Sequence, residues 1–122
     1  MLQTIVDEMD AMAARNDVFG FATADTSFHR TFCALADNAV LSDMWEMLAR
    51  QMTIIFGLSA LGKPMKDIVQ EHRALMQVFG SGNRADMAAA ISDHIDVEIH
   101  KVDLEKIIAR RRSETALTAA SV

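Results

Sequence analysis

The chain has 122 residues, enough for one domain with a real core and too few for two. Apolar residues make up 51%, and five Gly with one Pro are too few for the many reversals of an all-β fold, so an all-α domain is expected. A net charge of -5 argues against this segment holding DNA or RNA by itself, since phosphate binding needs a basic face.

In chain order, helical spacing first appears from about Leu2 to Arg15, where Ile5, Met9 and Met12 share one stripe. Asn16 and Asp17 interrupt it and offer a cap for a second helix from about Val18 to Asp37. The inward face of that helix is expected to hold Phe21, Ala22, Asp25, Phe28, His29, Phe32 and Ala36, with Asn38 as a stop. A third helix, from about Val40 to Leu58, is expected to turn Leu41, Met44, Trp45, Leu48, Met52 and Ile55 inward. The stretch from Gly57 to Lys63 reads as a connection, and Pro64 suits the first position of a fourth helix because its missing donor costs nothing there. That helix, to about Phe79, carries Ile68, Val69, His72, Leu75, Met76 and Phe79 on one stripe. Gly80, Ser81 and Gly82 break the chain, and Asn83 caps a last long helix to about Arg112, with Met87, Ile91, His94, Val97 and Glu98 on its buried side. Arg110, Arg111 and Arg112 near its end are read as complementing the helix dipole. The expectation is an antiparallel bundle of about five helices in a single domain covering residues 1–122.

The lone Cys33 excludes an internal disulfide and suits a reducing compartment; as a ligand it is secondary to its reading as a small core residue. No apolar run reaches membrane-spanning length and no secretory signal opens the chain, so a soluble cytoplasmic protein is expected. The nine methionines are read as adaptable core.

Chemistry concentrates in four side chains. Asp25 and His29 are four residues apart, hence one turn apart on one helix face, and apolar neighbours turn that face inward. His72 and His94 occupy the apolar stripes of two other helices, whereas His100 is rotated off its stripe toward Asp93, Asp96 and Asp103 and is read as solvent-facing. One buried histidine is commonly satisfied by a simple hydrogen bond. Three with a carboxylate at i, i+4 spacing point instead to one divalent metal, Zn, Ni or Mn, held between facing helices. Four protein ligands leave a position for a small organic acid, and Arg30 and Arg50 are candidate partners for its carboxylate.

Asp17 with Phe21, then Asp25-Thr26-Ser27-Phe28-His29, Asn38 with Leu41, Glu71-His72 and His94-Ile95 resemble the FadR C-terminal (FCD) effector-binding domain of GntR-family bacterial transcription regulators. Separations of 43 residues from His29 to His72 and 22 from His72 to His94 fit that pattern, over roughly Met9 to Leu104. The resemblance implies that Asp25, His29, His72 and His94 hold a divalent metal, which helps bind a small carboxylate effector. It also implies a dimerising helical bundle whose effector state controls DNA binding by an amino-terminal winged-helix domain. Against the family pattern, Asn83 stands where an acidic residue is frequent and Met87 where a small one is. The winged-helix domain and the first FCD helix are expected to be missing from this chain.

The leading expectation is thus a non-catalytic ligand-sensing domain, with Glu71 projecting away from His72 at the surface. Two alternatives stand beside it. A small metal-dependent hydrolase would use metal-bound water, with Glu98 as the further inward acid, and a purely structural bundle would satisfy its histidines in the core. A ferritin-like diiron centre lacks its Glu-x-x-His pairs.

Overall fold

The computed structural model describes residues 1–100 and 103–121; the side chains of 97–100 and of residue 104 are outside what is described. Six helices form a bundle, with no strand among the described residues: α1 (Leu2–Ala14), α2 (Val18–Leu35), α3 (Ala39–Gly62), α4 (Met65–Ser81), α5 (Arg84–His100) and α6 (Leu104–Ala120). The all-α expectation is met. The first connections are tight. Asn16 and Asp37 take positive φ values of 55° and 49° in them, a conformation their short polar side chains tolerate. Each is followed by a capping residue. Asp17 accepts a bond from the Gly20 amide at 2.9 Å, and Asn38 one from Leu41 at 3.1 Å. Gly82, at φ 72°, ends α4 in the left-handed region that glycine enters without strain. Asn83 then caps α5 by accepting from the amides of Ala85 and Asp86.

The core collects Val6 and Met9 of α1, Phe21, Ala24 and Phe28 of α2, Ala60 of α3, and Met65, Ile68, Val69 and Leu75 of α4. α1 packs on both α2 and α4, α2 on α3, and α4 on α5. The stripes expected for α2 and α4 face inward, with Phe32, Met76 and Phe79 partly buried; Ala36, the C-cap of α2, is exposed.

Three expectations are corrected. First, α3 does not end at Leu58 but continues to Gly62, because Phe56, Ser59 and Ala60 are buried and their packing outweighs the low helix propensity of Gly57. A Cβ at Gly57 would stand 3.7 Å from that of Ala22, so α2 and α3 approach closely there. Pro64 accordingly becomes the N-cap of α4 rather than its first residue.

Second, α3 is rotated from the expected orientation. Leu41, Met44 and Leu48 are exposed, Trp45, Met52 and Ile55 are half-buried, and Ala49, Phe56, Ser59 and Ala60 face inward. The helix is apolar on two sides, and the side with smaller residues gives the closer seat against α2.

Third, the expected long last helix is two. Asp103 starts α6 by accepting from the Lys106 amide at 2.9 Å, and Ile107 buries itself as α6 packs on α3. The three arginines therefore sit inside α6 rather than in a last turn. Arg110 donates to the Leu61 carbonyl at the end of α3 and pairs with Glu114, which Arg111 also approaches. The expectations for Val97, Glu98 and His100 concern side chains outside those described. No described helix is long and apolar enough to cross a membrane.

Among the described residues of α6, Ile107 alone is buried. Ile107→Ala is expected to weaken α6 docking by about 2 kcal/mol or more. Amide hydrogen exchange should then accelerate across residues 105–120 while the α4 core amides stay protected. Unchanged exchange in α6 would show that the helix is held by other contacts.

Candidate metal centre

α2 supplies Asp25 and His29 on successive turns, α4 supplies His72 and α5 supplies His94. Asp25 and His72 are withdrawn from water, at 1% and 0% exposure; His29 and His94 are half-buried. The Asp25 Oδ1 lies 2.8 Å from His72 Nε2 and 3.3 Å from His29 Nε2, and His94 Nε2 lies 3.3 Å from His29 Nε2. One candidate ligand atom from each of the three histidines lies within 4.8 Å of the others. Sequence reasoning named these four residues, and the fold brings all four together.

The hydrogen bonding of His72 decides how its ring is used. Nδ1 stands 2.8 Å from the Ile68 carbonyl, which only accepts, so Nδ1 carries a proton. Nε2 is then left facing the Asp25 carboxylate, and two electron-rich atoms at that distance need a positive charge between them, either a proton or a metal ion. The facing Nε2 atoms of His29 and His94 pose the same demand.

Burial by itself would raise the Asp25 pKa, but the hydrogen bonds from His29 and His72, with their charge, outweigh it and hold the carboxyl well below the usual carboxylate range. Burial, reinforced by repulsion from His72 and His29, pushes His94 down to about 3. Asp25 is thus a carboxylate and His94 a neutral imidazole at physiological pH, the forms in which each donates a lone pair.

Aromatic rings wall the cluster. Phe56 stacks on His29 with centroids 5.0 Å apart, Phe28 meets His72 edge-on at 4.7 Å, and Trp45 tilts over His29 at 5.6 Å. Beside His94 a cavity of about 220 Å³ opens between α4 and α5, with mainly apolar walls that include Leu75, Val78 and Ala90, and acidic groups from Glu71 and Asp93. Glu71 is half-exposed, as expected. It accepts from the Lys63 ammonium at 2.7 and 2.8 Å.

Arg30 and Arg50 are not in this cluster. Arg30 is half-exposed and ion-paired with Glu46, whose hydrogen bond raises the guanidinium pKa further. Arg50 is exposed on α3. Cys33, one turn beyond His29, is half-buried and its thiol is pushed up by burial. Sequence reasoning missed Lys63, placed in a connection, and Phe56, which no polar pattern signals. Its third omission was the role of Trp45 as a wall of the cluster.

The donor set fits a divalent ion. Metal bonds of about 2.1 Å would place ligand atoms roughly 3–4.3 Å apart, close to the separations already present. Three imidazoles and a carboxylate are also a usual set for first-row metals.

The profile of the FCD domain family matches residues 1–97. The chain is also similar to a protein of Paenarthrobacter nicotinovorans described as a probable D-xylose utilization operon transcriptional repressor, with 27% identity over 89 residues. That alignment covers 73% of this chain and 39% of the relative, so this chain spans well under half of the relative's length. No solved structure matches.

Because the folded Asp25 pKa is depressed, the charge of Asp25 stabilises the fold above the ordinary value of 3.8, and this contribution is lost as pH falls below it. In metal-free, chelator-treated protein, Asp25→Asn is expected to cost about 3–5 kcal/mol near neutrality, the order seen when a buried ionic contact loses one partner. Urea unfolding from about pH 6 to about pH 3 should show the gap to wild type closing with acid. A gap independent of pH would refute the ionised carboxylate.

Proposed function

The chain belongs to the FCD domain family, and on that premise we propose that it is the ligand-sensing and dimerisation domain of a GntR-type transcription regulator, holding a divalent metal through Asp25, His29, His72 and His94. FCD domains are regulatory and not catalytic, which sets aside the hydrolase reading. One observation carries the metal assignment: Nε2 of His72, its ring oriented by the Nδ1 contact with the Ile68 carbonyl, faces Asp25 Oδ1 at a distance that calls for a proton or a metal ion, inside a cluster of three imidazoles.

A divalent ion there would supply a fixed positive charge with a position free for a carboxylate oxygen. The chain's own residues do the rest. Asp25 and His29 form a rigid i, i+4 clamp, the Ile68 carbonyl holds the His72 ring in its tautomer, and Phe28 and Phe56 keep water from the ligand rings. The cavity beside His94 is sized for a small organic acid, whose apolar part would rest on Leu75, Val78 and Ala90. Arg30 is committed to Glu46 and Arg50 faces outward, so neither is assigned the carboxylate. The whole regulator would be cytoplasmic and would bind DNA through a winged-helix domain outside this chain.

The structural alternative has one observation on its side, since both nitrogens of His72 find protein partners. Metal uptake separates the two readings. Equilibrium dialysis with zinc, nickel or manganese is expected to give one ion per chain and a higher melting temperature that a chelator reverses; saturation at a hundred times the Kd adds about 2.7 kcal/mol. In metal, the losses from His29→Ala and His94→Ala should be coupled by about 0.5–3 kcal/mol. Acetate, succinate, D-xylose and D-xylonate, added to the loaded protein, test the effector class. No uptake together with additive losses would leave only the structural bundle.

For dimerisation, the outer face of α3 offers Val40, Leu41, Met44, Met47, Leu48 and Ile54, all exposed, at spacings of one helical surface. A second copy seated on this stripe would remove it from water. Leu48→Glu is therefore expected to shift the protein from dimer to monomer in sedimentation equilibrium with its helical content unchanged, whereas a monomeric wild type would refute the interface.

A further inference from the structure

Trp45 is the single tryptophan of the chain. Its ring stands 5.6 Å from that of His29 and 6.4 Å from that of Phe56, so it belongs to the wall of the metal centre. Its indole Nε1 is buried and, among the described residues, has no acceptor. An indole N–H only donates, and buried without an acceptor it forfeits its bonds to water with nothing in return. Arg73 Nε is in the same position, but its guanidinium pairs with Asp7 and Asp10 through another nitrogen. Trp45 has no such substitute. In the neighbouring His29 ring, Nε2 is engaged with Asp25 and His94.

We infer that the indole N–H of Trp45 donates a hydrogen bond to the exogenous oxygen ligand of the centre, a water in the resting protein and a carboxylate oxygen of the effector when that is bound. The inference rests on the metal reading given above. It follows from counting what each partner lacks. Four protein ligands leave the ion short of an oxygen ligand, and the wall of the site holds one donor short of an acceptor. A carboxylate meets both needs, because one oxygen binds the ion while the other accepts from the indole. An amine or a thiol offers no second acceptor. Trp45 would thereby orient the effector and favour carboxylates, and its ring would go on packing against His29.

A single tryptophan gives the ¹⁵N-labelled full chain one indole N–H resonance, so the donor can be watched directly. The probes are zinc and acetate, with zinc uptake measured independently by dialysis. Zinc is expected to move the indole proton downfield, acetate to move it again saturably, and acetate without zinc to leave it in place. Trp45→Phe keeps a ring and deletes the donor; it should take up zinc with unchanged stoichiometry and bind acetate about tenfold more weakly. Failure of zinc uptake would overturn the metal reading and this inference with it. Zinc uptake with a stationary indole resonance would overturn this inference alone, whether or not the Trp45→Phe protein folds.

Discussion

The contact between Asp25 Oδ1 and His72 Nε2, 2.8 Å long and shut off from water, links α2 to α4 and sets the position of everything around it. Neither group tolerates such a place alone, since a buried carboxylate without partners is far costlier than the pair. The Ile68 carbonyl, one turn before His72, turns the ring so that Nε2 points at α2. Phe28 packs against the same ring edge-on, so the polar contact is embedded in the apolar core rather than appended to it. His29 follows Asp25 by one turn and enters the same space. Only His94 has to be delivered from elsewhere.

That delivery depends on the turn between α4 and α5. Gly82 ends α4 with a left-handed backbone, Asn83 starts α5 at once, and the short reversal lays α5 along α4 so that His94 reaches His72 with ring centroids 4.8 Å apart. α5 is weakly amphipathic, with Ala90 and Ile91 partly buried against the core. An element with so few buried side chains among the described residues would gain proportionally from a metal bond. On the proposed metal reading, ligand binding at His94 and the seating of α5 would be linked, which would give a sensor a physical means of changing shape.

α3 works differently. It brings Phe56 and Trp45 to the edge of the cluster from one side and exposes an apolar stripe on the other. The same helix thus touches the site and carries the surface assigned to a second copy. A change in the wall of the site has only the width of one helix to cross before it reaches that surface.

Much of the site was legible because helical spacing is local: Asp25 and His29 share a face wherever α2 lies, and the caps at Asp17, Asn38 and Asn83 act within three residues. The inward stripes of α2 and α4 were equally readable, since each has a single apolar side. What the sequence left undecided was rotation and direction between helices. α3 has two apolar sides, and which one turns inward was settled by its fit against α2, where Gly57 comes close to Ala22. The placement of α6 depends on Ile107 reaching α3, a contact far along the chain. Lys63 and Trp45 join the neighbourhood of the site only because α3 is long enough and turned so as to bring them there. Sequence alone determined which groups could share a turn; the tertiary structure decided which turns meet, because that depends on how competing apolar faces pack and not on any residue's neighbours in the chain.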